Sequence, residues 1–386
     1  MRQYATLKKE YFDQNDLNDM KRVCEELKIE GTEVFMDDIC PRTQLLFENE
    51  CEKKQWIEEL NKLCVKRIHC SYWAYPTSFL TKNNYSQLIE RFGGIEAVRD
   101  YYGDLTGNHM FLRWMQEYEI ATALDAQSYT FHLIDYAPID GMWEFTISRE
   151  DIRQAMVFMI QHFLNVLLEN GIMSEDSPQI KLENAGFGLE YGIQTAEDYR
   201  FVFSQLYDPY KKVKIGWDVN HLLHALGFRE ETQRAEFFLT EKELTKEMKE
   251  LEESYNDDPK TLAEKWISYN ILHPDTVEYV GAIQLSDCNM KTEEFFRNGK
   301  FKEPYHSEIS KLTTWEEKEE YGVKIVLSEY DSHVILGEGS LREKSVCELL
   351  RQINQQLPEL ALLHELKNSP DMKEAIKEQK EKIEEL

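Results

Sequence analysis

Short apolar runs alternate with longer stretches of helical periodicity from one end of the chain to the other. In residues 16–29, Leu17, Met20, Val23, Cys24 and Leu27 recur at helical spacing, with Gly31 expected to stop the helix. Residues 32–36 read as a strand, residues 52–63 as a helix, and residues 65–72 as a strand that reaches His69. Residues 128–135 form another strand, passing through His132, and residues 2–7 carry a weaker strand pattern. Ser148 and Asp151 make a capping box that opens an amphipathic helix to Asn170, closed by Gly171. Residues 179–183 and 213–218 are apolar runs ending in Glu183 and Asp218, and the helix between them starts at Thr195. Its first turn carries Glu197 and Asp198, where the helix dipole favours acids. Further on come a strand over 277–287 ending in Asp287, a helix over 340–356, and a strand over 360–365 ending in Glu365.

Strands that alternate with helices predict a parallel sheet, and about eight of them predict a closed (β/α)8 TIM barrel of the α/β class. Helical crossovers then bring every strand's carboxyl end to one face, where such barrels carry their chemistry. The barrel is expected to occupy residues 1–370, with insertions at 73–128, 237–275 and 289–330 on that face. The first insertion holds Gly93, Gly94 and several aromatics; the second interleaves Glu and Lys and reads as a solvated helix; the third includes a strand-like run over 323–327, as in a lid hairpin. Residues 371–386 read as a charged C-terminal helix, and Lys367 as the start of a polar tail.

A length of 386 residues suits such an elaborated barrel. No apolar run reaches membrane-spanning length and the first residues lack a signal-peptide core, so a cytoplasmic protein with no membrane partner is expected. Seven scattered cysteines without a CxxC pair argue against a disulfide framework and against a thiolate zinc site. The net charge of −27 disfavours nucleic acid, whose binding relies on Lys and Arg, and leaves a small sugar or phosphate ester as the expected partner.

Barrel logic collects His69, His132, Glu183, Asp218, Asp287 and Glu365 at one mouth, joined by His221 and by Asp331 and His333 from adjoining loops. Imidazole and carboxylate without thiolate is a ligand set for a divalent ion such as Zn2+, Mn2+, Mg2+ or Co2+. So many acids in one pocket repel one another unless cations lie between them. Tyr72, Asn184, Gln284 and Asp287 sit beside these groups in the sequence and are candidates for substrate contact.

The motifs His69-Cys70-Ser71-Tyr72, Phe131-His132, Leu182-Glu183-Asn184-Ala185-Gly186, Asp218-x-x-His221, Asp331-Ser332-His333 and Leu363-His364-Glu365 occur in an order that resembles the xylose isomerase-like barrels, and among them endonuclease IV. The resemblance implies a metal-dependent enzyme holding one to three ions, Zn2+ or Mn2+ foremost. It assigns His69, His132 and Glu183 to one ion, Glu183, Asp218 and Glu365 to a second, and His221, Asp331 and His333 to a third. It thereby splits Asp218 from His221. One departure stands out: the family's seventh strand usually ends in His-x-x-Asp, whereas this chain has Gln284-Leu285-Ser286-Asp287, and a glutamine carbonyl is the poorer ligand.

Three functions follow. Hydrolysis of a phosphate ester would use several ions. Sugar isomerisation or epimerisation would use one ion, with Glu183 and Glu365 passing a proton through a cis-enediolate. A degenerate site on a binding protein is the third. Convergence of His221, Asp331 and His333 would favour hydrolysis over isomerisation.

Overall fold

The computed structural model describes residues 1–133, 149–186, 192–223, 259–288, 311–312, 317, 331–367 and 369–384. Eight strands, β1 (Arg2–Thr6), β2 (Gly31–Phe35), β3 (Val65–His69), β4 (Ser128–Leu133), β5 (Gln179–Asn184), β6 (Val213–Asp218), β7 (Val280–Leu285) and β8 (Ala361–His364), run parallel in chain order. Pairing of β1 with β8 closes the barrel, as the alternating pattern predicts.

The inward positions recur every second residue, as the pleat requires. On β3 they are Arg67 and His69, on β4 Thr130 and His132, on β5 Lys181 and Glu183, on β6 Gly216 and Asp218, and on β7 Ala282 and Gln284. The register sets their last members side by side: His132 pairs with Glu183, and Asp218 with Gln284. Each strand thus delivers its final inward side chain to one level at the mouth.

Below that level the interior is partly polar. Tyr4, Ala282, Ala361 and Leu363 form a small apolar cluster, but Glu33 and Arg67 are fully buried and paired at 2.9 Å. Thr130 donates to the same Glu33 carboxylate at 3.1 Å, and Arg67 donates to Gln127 at 2.9 Å. The main core lies outside the strands, where Phe131, Leu182, Ile215, Trp217 and Ile283 meet the surrounding helices.

Several boundaries have causes the chain's polarity pattern hides. The helix Met20–Leu27 is capped by Lys28 in the left-handed region (φ 53°), not by Gly31. Gly31 instead opens β2, where a Cβ would lie 2.5 Å from the Cys64 carbonyl. Between β3 and β4 stand four helices, Pro76–Thr81, Tyr85–Phe92, Ile95–Tyr102 and Asn108–Ala123. The last packs on β3 and β4 and is the crossover helix itself, so only the first three add to the barrel plan. Helix Arg149–Glu169 closes at Gly171 (φ 66°) as expected; Ser148 of its capping box lies outside the described residues. Thr195 forms a complete capping box with Asp198 at the head of Ala196–Gln205. Of the solvated insertion expected over 237–275, residues 237–258 lie outside the described residues, as does the strand over 323–327; the helix Pro259–Ile271 is packed, with Ala263, Trp266 and Ile267 buried rather than solvated.

The terminal helix Met372–Glu384 is docked rather than loose. Gln379 donates to the Leu285 carbonyl at 2.9 Å and accepts from the Leu336 amide at 3.1 Å. Lys373 reaches Asp16 at 3.1 Å. No described helix is long and apolar enough to cross a membrane.

Candidate metal centre

Glu183 is the hub of the barrel mouth. Its Oε2 lies 3.3 Å from His69 Nε2, and its Oε1 lies 3.4 Å from both His132 Nε2 and His221 Nδ1. Asp218 Oδ2 is 3.7 Å from His221 Nδ1, and Asp331 Oδ1 sits 3.4 Å from His221 Nε2 and 2.5 Å from His333 Nε2. All of these side chains are under a tenth exposed. Backbone carbonyls orient the rings: His69 Nδ1 faces the Cys70 carbonyl and His221 Nδ1 the Asn184 carbonyl, each at 2.9 Å. Such outer contacts fix a ring's tautomer and aim its other nitrogen.

Among the described residues, three groups of ligand atoms lie mutually within 4.8 Å: Glu183, Asp218 and Glu365; His132, Glu183 and His221; and Asp218, His221 and His333. The first matches an expected ion set. In the second, His221 stands where His69 was expected, with His69 against the other Glu183 oxygen. The third keeps Asp218 and His221 together, so the described geometry does not divide that pair between separate groups.

Electrostatics define the site further. Burial raises the Glu183 carboxyl, but the His132 and His69 imidazoles overcome it and hold it well below the usual range. Burial pushes the Asp218 carboxyl up to about 6. Burial disfavours the His221 cation, yet the neighbouring Asp218 and Asp331 raise that imidazole to about 10. Burial keeps His132 low, the state in which an imidazole can ligate. Glu183 Oε2, Asp218 Oδ2, His132 Nδ1 and Gln284 Oε1 are buried with no hydrogen-bond partner. Buried carboxylate oxygens without a hydrogen bond, on residues whose ligand atoms gather within 4.8 Å, fit a cation, and the donor set of oxygen and imidazole nitrogen fits a divalent metal.

The remaining predicted residues divide. Tyr72 stands at the mouth, its ring 5.2 Å from that of His132 and 6.0 Å from that of His69. Gln284 is in the site, donating from Nε2 to Glu365 Oε2 at 2.6 Å. Asn184 is not free to face a substrate: its amide group accepts from the Asp218 backbone at 2.7 Å and donates to the Asp218 carbonyl at 3.2 Å, clamping β5 to β6. Asp287 also turns away from the cluster. Its carboxylate takes the backbone amides of Cys288, Gly337, Gly339, Ser340 and Leu341, at 2.8 to 3.3 Å, and so ties the loop that carries Asp331 and His333 to the end of β7. The approach is close: a Cβ on Gly339 would sit 2.6 Å from Asp287 Oδ1.

One site residue escaped the sequence reading. Lys367 folds its ammonium onto Asp331 Oδ2 and lies 3.8 Å from Glu365 Oε1. Burial disfavours its charge, but Asp331 and Glu365 outweigh that and raise it above the ordinary lysine value. The signal was its position, two residues past Glu365 on a chain still running through buried Leu366.

No family model and no curated protein matches the chain. Among solved structures, endonuclease IV from Thermus thermophilus superposes over 100% of both chains with a TM-score of 0.50 and 12% identity. A 3-keto-D-glucoside 4-epimerase from E. coli matches over 100% of both chains with a TM-score of 0.50 and 12% identity. The chain therefore has a (β/α)8 barrel fold, the fold it shares with endonuclease IV and the 4-epimerase.

Proposed function

We propose that this protein is a metal-dependent hydrolase of phosphate esters. The observation that carries the reading is the convergence of Asp331 on both His221 and His333, 3.4 and 2.5 Å away, beside the Glu183–Asp218–Glu365 group. A sugar isomerase needs one ion and has no use for this additional charged set, whereas phosphate cleavage gains from positive charge at both the attacking and the leaving oxygen.

Glu183 would be shared between ions, since its two oxygens face different histidines. His132, His221 and Asp218 would complete the inner ligand set, with Glu365 closing it and His69 and His333 holding carboxylates in place. Bound divalent ions, Zn2+ or Mn2+, would supply Lewis acidity toward a phosphoryl oxygen and lower the pKa of a water. Tyr72 would bound the substrate at the mouth. The net charge of −27 favours a small phosphorylated substrate over a polynucleotide.

A second reading, a metal-dependent sugar isomerase or epimerase, is favoured by Gln284. Its amide donates to Glu365, which leaves Glu183 and Glu365 as a carboxylate pair across a reduced ligand set. The two readings separate in one assay series. Metal-loaded protein is offered phosphomonoesters, phosphodiesters including abasic DNA, and keto sugars in deuterated water. Phosphate release that falls on the order of 100-fold or more in Glu183→Gln supports hydrolysis. Deuterium gain at a sugar carbon without phosphate release would overturn it in favour of isomerisation.

A further inference from the structure

Lys367 has no part in the chemistry just described, yet its ammonium is held inside the site by more than chance proximity. Its backbone amide donates to the His333 carbonyl at 3.0 Å, which fixes the segment across the mouth. Its side chain is 9% exposed, and Nζ rests on Asp331 Oδ2 with Glu365 Oε1 at 3.8 Å. Gln284 takes the other oxygen of Glu365 at 2.6 Å, and His221 and His333 share the other oxygen of Asp331.

The mouth is therefore asymmetric. On one side, each oxygen of Asp331 and Glu365 faces a donor or the ammonium. On the other, Glu183 Oε2 and Asp218 Oδ2 make no hydrogen bond and have imidazole nitrogens, not an ammonium, beside them, at 3.3 and 3.7 Å. An imidazole can share a carboxylate with a metal ion and an ammonium cannot, so the second side is the one open to added divalent charge. A divalent ion bound by Asp331 and His333 would have to stand against a buried ammonium, or expel it from the carboxylate that satisfies it.

We propose that Lys367 is a built-in cation of the centre: its ammonium takes the place of the divalent ion that His221, Asp331 and His333 would otherwise hold, so that each chain binds at most two ions, both on the Glu183–Asp218 side. The inference rests on the reading of the mouth as a metal centre. It implies a site whose outermost positive charge is monovalent and does not exchange, set beside the ions and suited to an anionic oxygen of the substrate.

The test counts ions, not turnover. Chelator-stripped protein is reloaded with Mn2+ or Zn2+, passed through gel filtration, and analysed for metal per chain, with thermal unfolding as the check of folding. Wild type and Lys367→Arg are expected to hold the same number, two or fewer, and Lys367→Met to hold one more. Asp331→Asn is expected to leave the wild-type count unchanged, because its partner is the ammonium; this variant decides the matter if Lys367→Met fails to fold. Three ions in wild type, no gain in folded Lys367→Met, or a loss in Asp331→Asn would each overturn the proposal while leaving the metal centre standing. A folded wild type that binds no ion would remove both.

Discussion

Asp287 shows how much of a site can depend on a residue that never enters it. Five backbone amides converge on its carboxylate, four of them from the loop that carries Asp331 and His333 into the mouth. Hydrogen bonds to a charged acceptor contribute about 1.5–3 kcal/mol each and do not add simply. Asp287→Ala should therefore destabilise the fold by about 3 kcal/mol or more in denaturant unfolding, and weaken metal binding through the loosened loop. Unchanged unfolding would show that the loop holds its path without the nest. The Glu33–Arg67 pair, fully buried inside the barrel, makes a sharper case. Arg67→Met leaves there a buried carboxylate with the Thr130 hydroxyl but no counter-charge and should cost about 3–5 kcal/mol, more than the double change with Glu33→Gln. A double-mutant cycle measures the difference.

At the scale of elements, the terminal helix Met372–Glu384 acts as a strut. Burial pushes the Asp16 carboxyl up, but hydrogen bonds from Lys373 and Arg22 overcome this and hold it below its ordinary value of 3.8. A depressed acid adds stability above its unfolded pKa and loses it as pH falls through the folded value. Lys373→Met should flatten the decline of melting temperature below about pH 4. An unaltered profile would mean that this pair does not hold the strut. The elements themselves were largely legible in the chain: a strand buried on both faces reads as a short apolar run, and helices announce themselves by period and cap. The inward polar residues were legible at Glu183 and Asp218, which end their runs. They were less so at Arg67 and Lys181, because charge inside a barrel looks like solvent exposure until a partner such as Glu33, on another strand, is known. Asp287 and Asn184 misled for a related reason. A carboxylate or amide at a strand end looks the same whether it meets a ligand or the backbone of a distant segment of the chain. Lys367 was read as tail because polarity alone cannot say which way a lysine folds.

At the scale of the whole molecule, the barrel gathers histidines and carboxylates from β3, β4, β5 and β6, and from the segments that follow β6, β7 and β8, into one buried cluster. We propose that the docked terminal helix Met372–Glu384 belongs to the barrel unit and that the three helices before Asn108 are additions to it. The four carboxylates outnumber the Lys367 ammonium and the His221 imidazolium beside them, and bound divalent ions would complete the balance. Ions that bind the folded state alone also stabilise it, by about 2.7 kcal/mol at a hundredfold excess over Kd. Metal analysis of folded, reloaded protein is the decisive measurement. We expect one or two divalent ions per wild-type chain, lost together in Glu183→Gln; a well-folded wild-type protein that takes up none would contradict the assignment of the mouth as a metal centre.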